Sequence, residues 1–304
     1  MRVEPFEMER LQSEWENRVE YNLSESGVHP MSLRELLGEE ISLEEFLDQK
    51  LGYGQTNGSQ PLRESIARLY SGADAESVLV TNGASEANFL AVWSLIEPGD
   101  EIVLMLPNYM QIWGLAHALG AKIAPLPLRE QRGWRPDLDE LAKALSRRTR
   151  LIAVCNPNNP TGAVLAEQEM QAIVDAARQT GAWLLADEVY QGAEREGAIT
   201  PSFWGRYEKV LITGGLSKAY GVPGIRLGWV AGPPEKIASL WGCHDYTTIA
   251  VGVLSDALAR SVLKPENRRR ILERTRSILR ENYPCLARWV ADQKGLLRFV
   301  PPAA

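Results

Sequence analysis

The sequence predicts an α/β protein with a largely parallel β-sheet covered by helices on both faces. Two observations carry this expectation. Short, almost wholly apolar runs recur along the chain, and segments with apolar residues at helical spacing separate them. A strand buried on both faces has no polar side to show, so it reads as a continuous apolar run. Strands that alternate with amphipathic helices indicate parallel pairing, because a parallel connection needs a crossover.

The elements follow in order. Residues 1–50 are polar and helix-prone, with a break at 26–30 (SGVHP). Residues 52–60 (GYGQTNGSQ) hold too much Gly, Asn and Ser for a regular element and form a loop. Pro61 opens a helix with Leu62, Ile66, Leu69 and Tyr70 on one face. The alternation then begins: a strand over 77–81, a helix over 84–96, a strand over 101–106, a helix over 109–119 and a strand over 122–128. A helix near 138–145 precedes a strand over 151–155, and a helix over 167–180 precedes a strand over 183–186. Strands over 209–213 and 227–231 close the series. After Pro233 and Pro234 the pattern is helical through 237–263 and 266–292, and Pro284 is expected to kink or break the second run. Phe299 and Val300 read as a strand just beginning.

Composition excludes several function classes. The chain has 304 residues, 45% hydrophobic and 24% charged, as an ordinary globular protein does, with room for one large or two modest domains. A net charge of −6 argues against a nucleic-acid surface. The one basic cluster, Arg268-Arg269-Arg270, lies in a helical pattern with acids and reads as a solvated face. Cys155, Cys243 and Cys285 are too scattered for a disulfide framework, and neither they nor His29, His117 and His244 have metal-ligand spacing. The acidic N-terminus lacks the apolar run of a signal peptide, and no apolar stretch is long enough to span a bilayer. A cytoplasmic location is the expectation.

Candidate chemistry centres on residues 214–229 (GGLSKAYGVPGIRLGW), where Lys218 stands in a Gly-rich turn eight residues before Arg226. A lysine amine forms a Schiff base with a cofactor aldehyde, and an arginine fork grips a phosphate. Pyridoxal 5'-phosphate carries both groups, and its pyridinium nitrogen asks for a charged partner. Ligand groups in open α/β sheets gather at the carboxyl ends of strands. Three segments lie at such ends: 156–162 (NPNNPTG), 187–190 (DEVY), and 81–87 (TNGASEA), a strand-to-helix turn whose small residues allow backbone amides to approach a phosphate.

Taken together and in this order, these segments resemble the class I/II aminotransferase family of fold-type I pyridoxal-phosphate enzymes. The resemblance runs from about Tyr53 to Trp229 and weakens toward Pro302. It implies an aminotransferase-like large domain over 51–262, with 1–50 and the start of a C-terminal segment, 263–304, contributing to a small domain. It implies that Lys218 is the Schiff-base lysine and proton shuttle, and that Asp187 partners the pyridine nitrogen. Asn159 and Tyr190 are implied to hold the cofactor's 3'-oxygen, with Arg226, Gly83, Ala84, Ser85 and Ser217 around the phosphate. Tyr109 is implied to stack on the ring, though a core aromatic reads as nearly as good an account of it. Tyr53 is implied to reach the phosphate of a neighbouring subunit, so that a homodimer shares its active sites. A cis peptide at Asn159-Pro160 is implied as well.

Three departures from the family pattern stand out. Gly215 occupies a position where many members carry a phosphate-binding hydroxyl, and residues 23–27 (LSESG) match a substrate-contacting turn poorly. Family members also extend past residue 304, and the arginine that binds the substrate carboxylate is expected there. No residue here is assigned that role, Arg298 standing in a different context. The resemblance implies transfer of an amino group between an L-amino acid and a 2-oxo acid. Other pyridoxal-phosphate reactions use the same scaffold, among them C–S β-elimination, β/γ-replacement, cyclisation and decarboxylation, and a non-catalytic cofactor-binding relative is a further alternative.

Overall fold

The computed structural model describes residues 3–37 and 46–304. Eight strands form one sheet: β1 (Val78–Thr81), β2 (Glu101–Leu106), β3 (Lys122–Arg129), β4 (Arg135–Pro136), β5 (Thr149–Cys155), β6 (Trp183–Asp187), β7 (Val210–Gly215) and β8 (Gly228–Ala231). Their order across the sheet is β1-β8-β7-β6-β5-β2-β3-β4. The central pairs β7·β6, β6·β5, β5·β2 and β2·β3 are parallel, whereas β8 and β4 run antiparallel to their neighbours. All seven expected strands are present. The short β4 escaped notice because two residues, one of them proline, carry no periodicity.

Both faces are covered. Successive strand residues point to opposite sides, so Val78 and Val80 join one core while Leu79 joins the other, and Ile152 and Leu151 divide likewise. One core is closed by α3 (Gln60–Ala67), α6 (Leu138–Ala144), α7 (Glu167–Thr180), α9 (Val253–Val262) and α10 (Pro265–Asp292). The other is closed by α4 (Ala84–Leu95), α5 (Gln111–Ala118) and α8 (Pro234–His244). Each fully buried Leu or Ile, such as Leu79, Leu90 and Ile152, contributes about 2 kcal/mol by leaving water. Two further helices, α1 (Glu7–Trp15) and α2 (Leu33–Leu37), lie in the N-terminal segment. No described helix is long and apolar enough to cross a membrane.

Four expectations are corrected. The helical stretch over 237–263 is two helices, interrupted at 245–252, where Thr247 and Thr248 turn their hydroxyls onto Glu86 and Ile249 takes a φ of 67°. Of the kink or break expected at Pro284, the break does not occur, and α10 runs through to Asp292. The half of the helix that holds Pro284 is largely exposed, so water can satisfy the carbonyl that the missing N–H leaves free. Residues 299–300 are not a strand. The tail instead folds back, and the amides of Ala303 and Ala304 donate to the Gly162 carbonyl at 2.8 and 3.1 Å. The arginine cluster is not simply a solvated face. Arg268 donates to the Tyr220 hydroxyl at 3.0 Å, and Arg270 donates to the carbonyls of Glu35 and Leu36.

Candidate active site

The sheet register lines up one edge. Cys155 pairs with Asp187, Asp187 with Thr213, Gly215 with Gly228, and Gly228 with Thr81. The carboxyl ends of β5, β6, β7 and β1 therefore meet the start of the antiparallel β8 in a single row. The segments 156–162, 187–190, 214–229 and 81–87 all leave from this row.

Asp187 ends β6 and is buried. Its Oδ2 accepts from Asn88 Nδ2 at 2.8 Å and its Oδ1 from the Val189 amide at 3.1 Å, while Asn88 Oδ1 accepts from Thr213 Oγ1 at 2.8 Å. Burial pushes the Asp187 carboxyl up despite these bonds. The site therefore favours a cationic partner for it. Asn88 was missed by sequence reasoning. Its signal was a lone amide on an otherwise apolar face of α4.

Tyr190 sits just past β6. Its hydroxyl accepts from Asn159 Nδ2 at 3.1 Å and lies 2.7 Å from Ser26 Oγ. Burial pushes the phenol well above its ordinary range. Asn156 and Asn158 face inward as braces: Asn156 Oδ1 accepts from the Leu165 amide at 3.0 Å, and Asn158 Nδ2 donates to the Pro107 carbonyl at 3.2 Å. The Asn159-Pro160 peptide is cis, as are Leu106-Pro107 and Asn156-Pro157.

The turn from β1 to α4 is a tight cradle. Gly83 has φ 88° and ψ 164°, a backbone state open only to glycine, and a Cβ there would stand 3.1 Å from Arg226 Cζ and closer still to Nη2. A Cβ on Gly228 would strike the Gly83 carbonyl, carbon and oxygen, and the Ala84 amide. Gly215 is less tightly packed, its Cβ position lying 3.2 Å from the Leu227 carbonyl oxygen and 3.4 Å from Ala84 Cβ. Arg226 itself has φ 46°, and its Nη1 donates to the Pro223 carbonyl at 3.0 Å and to Ser217 Oγ at 3.4 Å. The α4 N-terminus, Ser217 and Arg226 converge on one small volume suited to an anion.

Glu86 stiffens this cradle. Its Oε2 accepts from the Asn82 amide at 2.7 Å, and its carboxylate meets Thr247, Thr248 and the fully buried His244. Burial pushes the Glu86 carboxyl up, but the bonds from His244, Thr247, the Asn82 amide and Thr248 outweigh it and hold it at about 2.

Lys218 lies in a cavity of about 330 Å³ with Glu25, Ser26, Asn159 and Tyr190 on its walls. Its Nζ donates to Glu25 Oε1 at 2.7 Å. Gly27 faces the same side chain, its Cβ position lying 3.7 Å from Lys218 Cδ. The poorly matching segment 23–27 therefore does line the site, although no pattern in the sequence marked Glu25 or Ser26. Tyr109 precedes α5, and its hydroxyl donates to Glu9 at 2.6 Å while Phe6 packs on the ring at 5.1 Å between centroids. Gln111 ties that turn to Ser85 by donating to its carbonyl at 2.7 Å. Tyr53 is 93% exposed and is not brought to the cavity of its own chain. Trp15 and Tyr21 are exposed, Trp113 stacks on His117, and none of the three lines the Lys218 cavity. Arg298 pairs with Glu130 at 3.2 Å.

Residues 39–294 match the family model described as aminotransferase class I and II. The chain belongs to the class I and II aminotransferase family. This family and its fold use pyridoxal 5'-phosphate. Among curated relatives, capreomycidine synthase of Streptomyces vinaceus is 35% identical over 268 residues, covering 83% of this chain and 69% of that protein. Several other curated relatives are spanned over only 46% to 64% of their length. Among solved structures, a PLP-dependent aminotransferase from Streptococcus suis superimposes with a TM-score of 0.93 at 35% identity, covering 100% of this chain and 81% of that one. The PLP-dependent cyclase OrfR gives a TM-score of 0.89 at 28% identity, covering 100% of this chain and 79% of that one.

The residues present fit this cofactor. A buried carboxylate whose burial favours a cationic partner, a glycine-floored anion cradle and a lysine amine stand on one sheet edge, matching a pyridinium, a phosphate and an aldehyde.

Proposed function

We propose that this protein is a pyridoxal-phosphate enzyme that moves an amino group between an L-amino acid and a 2-oxo acid, with Lys218 as the covalent anchor. The convergence of Lys218, Asp187 and Arg226 on one strand edge carries this reading. When bound, pyridoxal phosphate supplies an electron sink for negative charge at the substrate α-carbon. The chain's own residues do the rest. Lys218 Nζ holds the cofactor and then accepts and returns the α-proton. Asp187, oriented by Asn88, keeps the positive charge on the ring nitrogen. Asn159 and Tyr190 hold the 3'-oxygen, their mutual bond fixing both donors in place. Arg226, Ser217 and the backbone of Gly83, Ala84 and Ser85 bind the phosphate. Tyr109 covers the ring, held in place by Glu9 and Phe6.

The working unit in this reading is a homodimer. Tyr53 supports it, because a tyrosine 93% exposed in one chain is free to reach a neighbour's phosphate. The exposed apolar residues Leu51 and Tyr246 would be covered in the same assembly.

Cyclisation is the second reading, favoured by the likeness to capreomycidine synthase and to the cyclase OrfR. A single-turnover experiment separates the two. Transamination releases one 2-oxo acid per site from an amino acid without added acceptor, whereas a cyclase releases a product that retains its α-amino group and no oxo acid. Absence of oxo acid from every donor in a panel of amino acids overturns the first reading.

A further inference from the structure

Glu25 is the one acidic side chain among the described residues that line the Lys218 cavity, and Lys218 is the one basic side chain. The carboxylate is aimed by the backbone as well as by the lysine, since its Oε1 accepts from the Gly27 amide at 2.7 Å and from Lys218 Nζ at 2.7 Å. Burial pushes the carboxyl up, yet the hydrogen bond and charge of Lys218 and the amides of Gly27 and Ser26 bring it below its ordinary range. With Lys218 beside it the carboxyl is held as a carboxylate, and the amides of Gly27 and Ser26 remain as donors when the lysine is engaged elsewhere. The same cavity presents apolar groups from Val28, Pro157, Pro160 and Leu279 beside its neutral polar side chains.

This pairing cannot persist unchanged in a working enzyme. On the reading that Lys218 is covalently committed to the cofactor, its amine ceases to be a free partner for Glu25. Glu25 then keeps only the amides of Gly27 and Ser26, and a cation arriving in the cavity restores the pairing it has lost. The apolar groups suit a methylene chain carrying the cation.

We propose that Glu25 is a specificity-determining residue that selects substrates whose side chain ends in a guanidinium or ammonium group, and rejects those with an acidic side chain. The selection is electrostatic. A hydrogen bond to a charged partner gives roughly a tenfold or larger preference over a neutral isostere, and a second carboxylate beside Glu25 meets like-charge repulsion.

The test uses cofactor-loaded protein and ligands that lack an α-amino group, so that binding is read without turnover. Calorimetry compares 5-guanidinopentanoate with 5-ureidopentanoate, which has nearly the same shape but no charge, and with the dianion hexanedioate. The guanidino ligand is expected to bind about tenfold more tightly than the ureido ligand, and hexanedioate most weakly. In Glu25→Gln the guanidino-to-ureido ratio is expected to fall below about threefold, and Glu25→Asp should restore part of it. A wild-type ratio below about fivefold, hexanedioate binding as well as the guanidino ligand, or an undiminished ratio in Glu25→Gln overturns the proposal. The wild-type ratio stands as a test even if a variant fails to fold. The lysine-linked cofactor has its own readout, a visible absorbance band that is lost in Lys218→Ala. Wild-type protein with the band but without the ratio removes the role of Glu25 alone. Wild-type protein without the band removes the functional reading, and this inference with it.

Discussion

The cradle beneath Arg226 makes opposite predictions for two glycines that touch each other. Consider Gly83→Ala. The residue sits at φ 88° and ψ 164°, so alanine there costs about 1–3 kcal/mol in backbone strain. Its methyl would also displace the Arg226 guanidinium, which is the mobile end of a side chain and can yield. The protein should therefore fold but lose a charge-assisted bond to the cofactor phosphate. Such a bond contributes about 1.5–3 kcal/mol, which corresponds to roughly 10- to 150-fold weaker binding. Equilibrium titration of stripped protein with pyridoxal phosphate reads this loss. Titration with pyridoxal, which has no phosphate, isolates its origin, because the variant and wild type should then differ by less than about threefold. Gly228→Ala should behave differently. Its methyl meets main-chain atoms of Gly83 and Ala84 that cannot turn aside, so β8 and α4 must separate and the melting temperature should fall by several degrees. If Gly83→Ala weakens pyridoxal as much as pyridoxal phosphate, or weakens neither, the assignment of the cradle to a phosphate is wrong.

Three further outcomes follow from buried carboxylates. Glu86 is depressed to about 2, so its stabilisation is present above pH 4.5 and is lost as pH falls toward 2. Glu86→Gln should cost about 2–3 kcal/mol at pH 7 and nothing near pH 2, and a loss that is constant with pH in urea denaturation would contradict this. Glu188 is buried, and burial first, with Asp187 beside it, pushes its carboxyl up to about 8 although the Phe203 amide donates to it. It is neutral in the fold and ionised in the unfolded chain between pH 4.5 and 8, so stability is lost as pH rises through that window. Glu188→Gln mimics the neutral form and should match wild type near pH 4 yet exceed it by roughly 3–5 kcal/mol at pH 8, whereas parallel stability curves would refute the shift. In the proposed function Asp187 is the anionic partner of the cofactor's ring nitrogen; loading at 1,000 times the dissociation constant should stabilise the wild type by about 4 kcal/mol. At that same cofactor concentration Asp187→Asn should gain less than half as much, and equal gains by scanning calorimetry would remove Asp187 from the cofactor's partners.

Local patterning made the scaffold legible. Seven strands were readable because each is buried on both faces and so is apolar along its length, and the helices that cover them, such as α4 and α7, carried apolar residues at helical spacing. The candidate site was legible where one short segment gathers several candidate residues. Lys218 and Arg226 lie in the one connection between β7 and β8, and Asp187 and Tyr190 lie within four residues at the end of β6. Reading failed where a long-range partner outweighed local preference. The helical pattern through 237–263 breaks because Thr247 and Thr248 bond to Glu86, some 160 residues earlier in the chain. Pro284 is a different case: it stays within α10 on an exposed stretch, where water can take the place of the missing bond.

By itself, then, the order of residues determined an α/β sheet and the candidate cofactor-binding segments that leave its strand ends, since burial on two faces and turn chemistry are both written in neighbouring positions. Only the tertiary structure decided that Asn88 orients Asp187, that Gly215 and Gly228 floor the cradle, and that Glu25 meets Lys218 across 193 residues. Those contacts depend on strand register and on where an irregular N-terminal segment comes to rest, and neither leaves a periodic trace in the sequence.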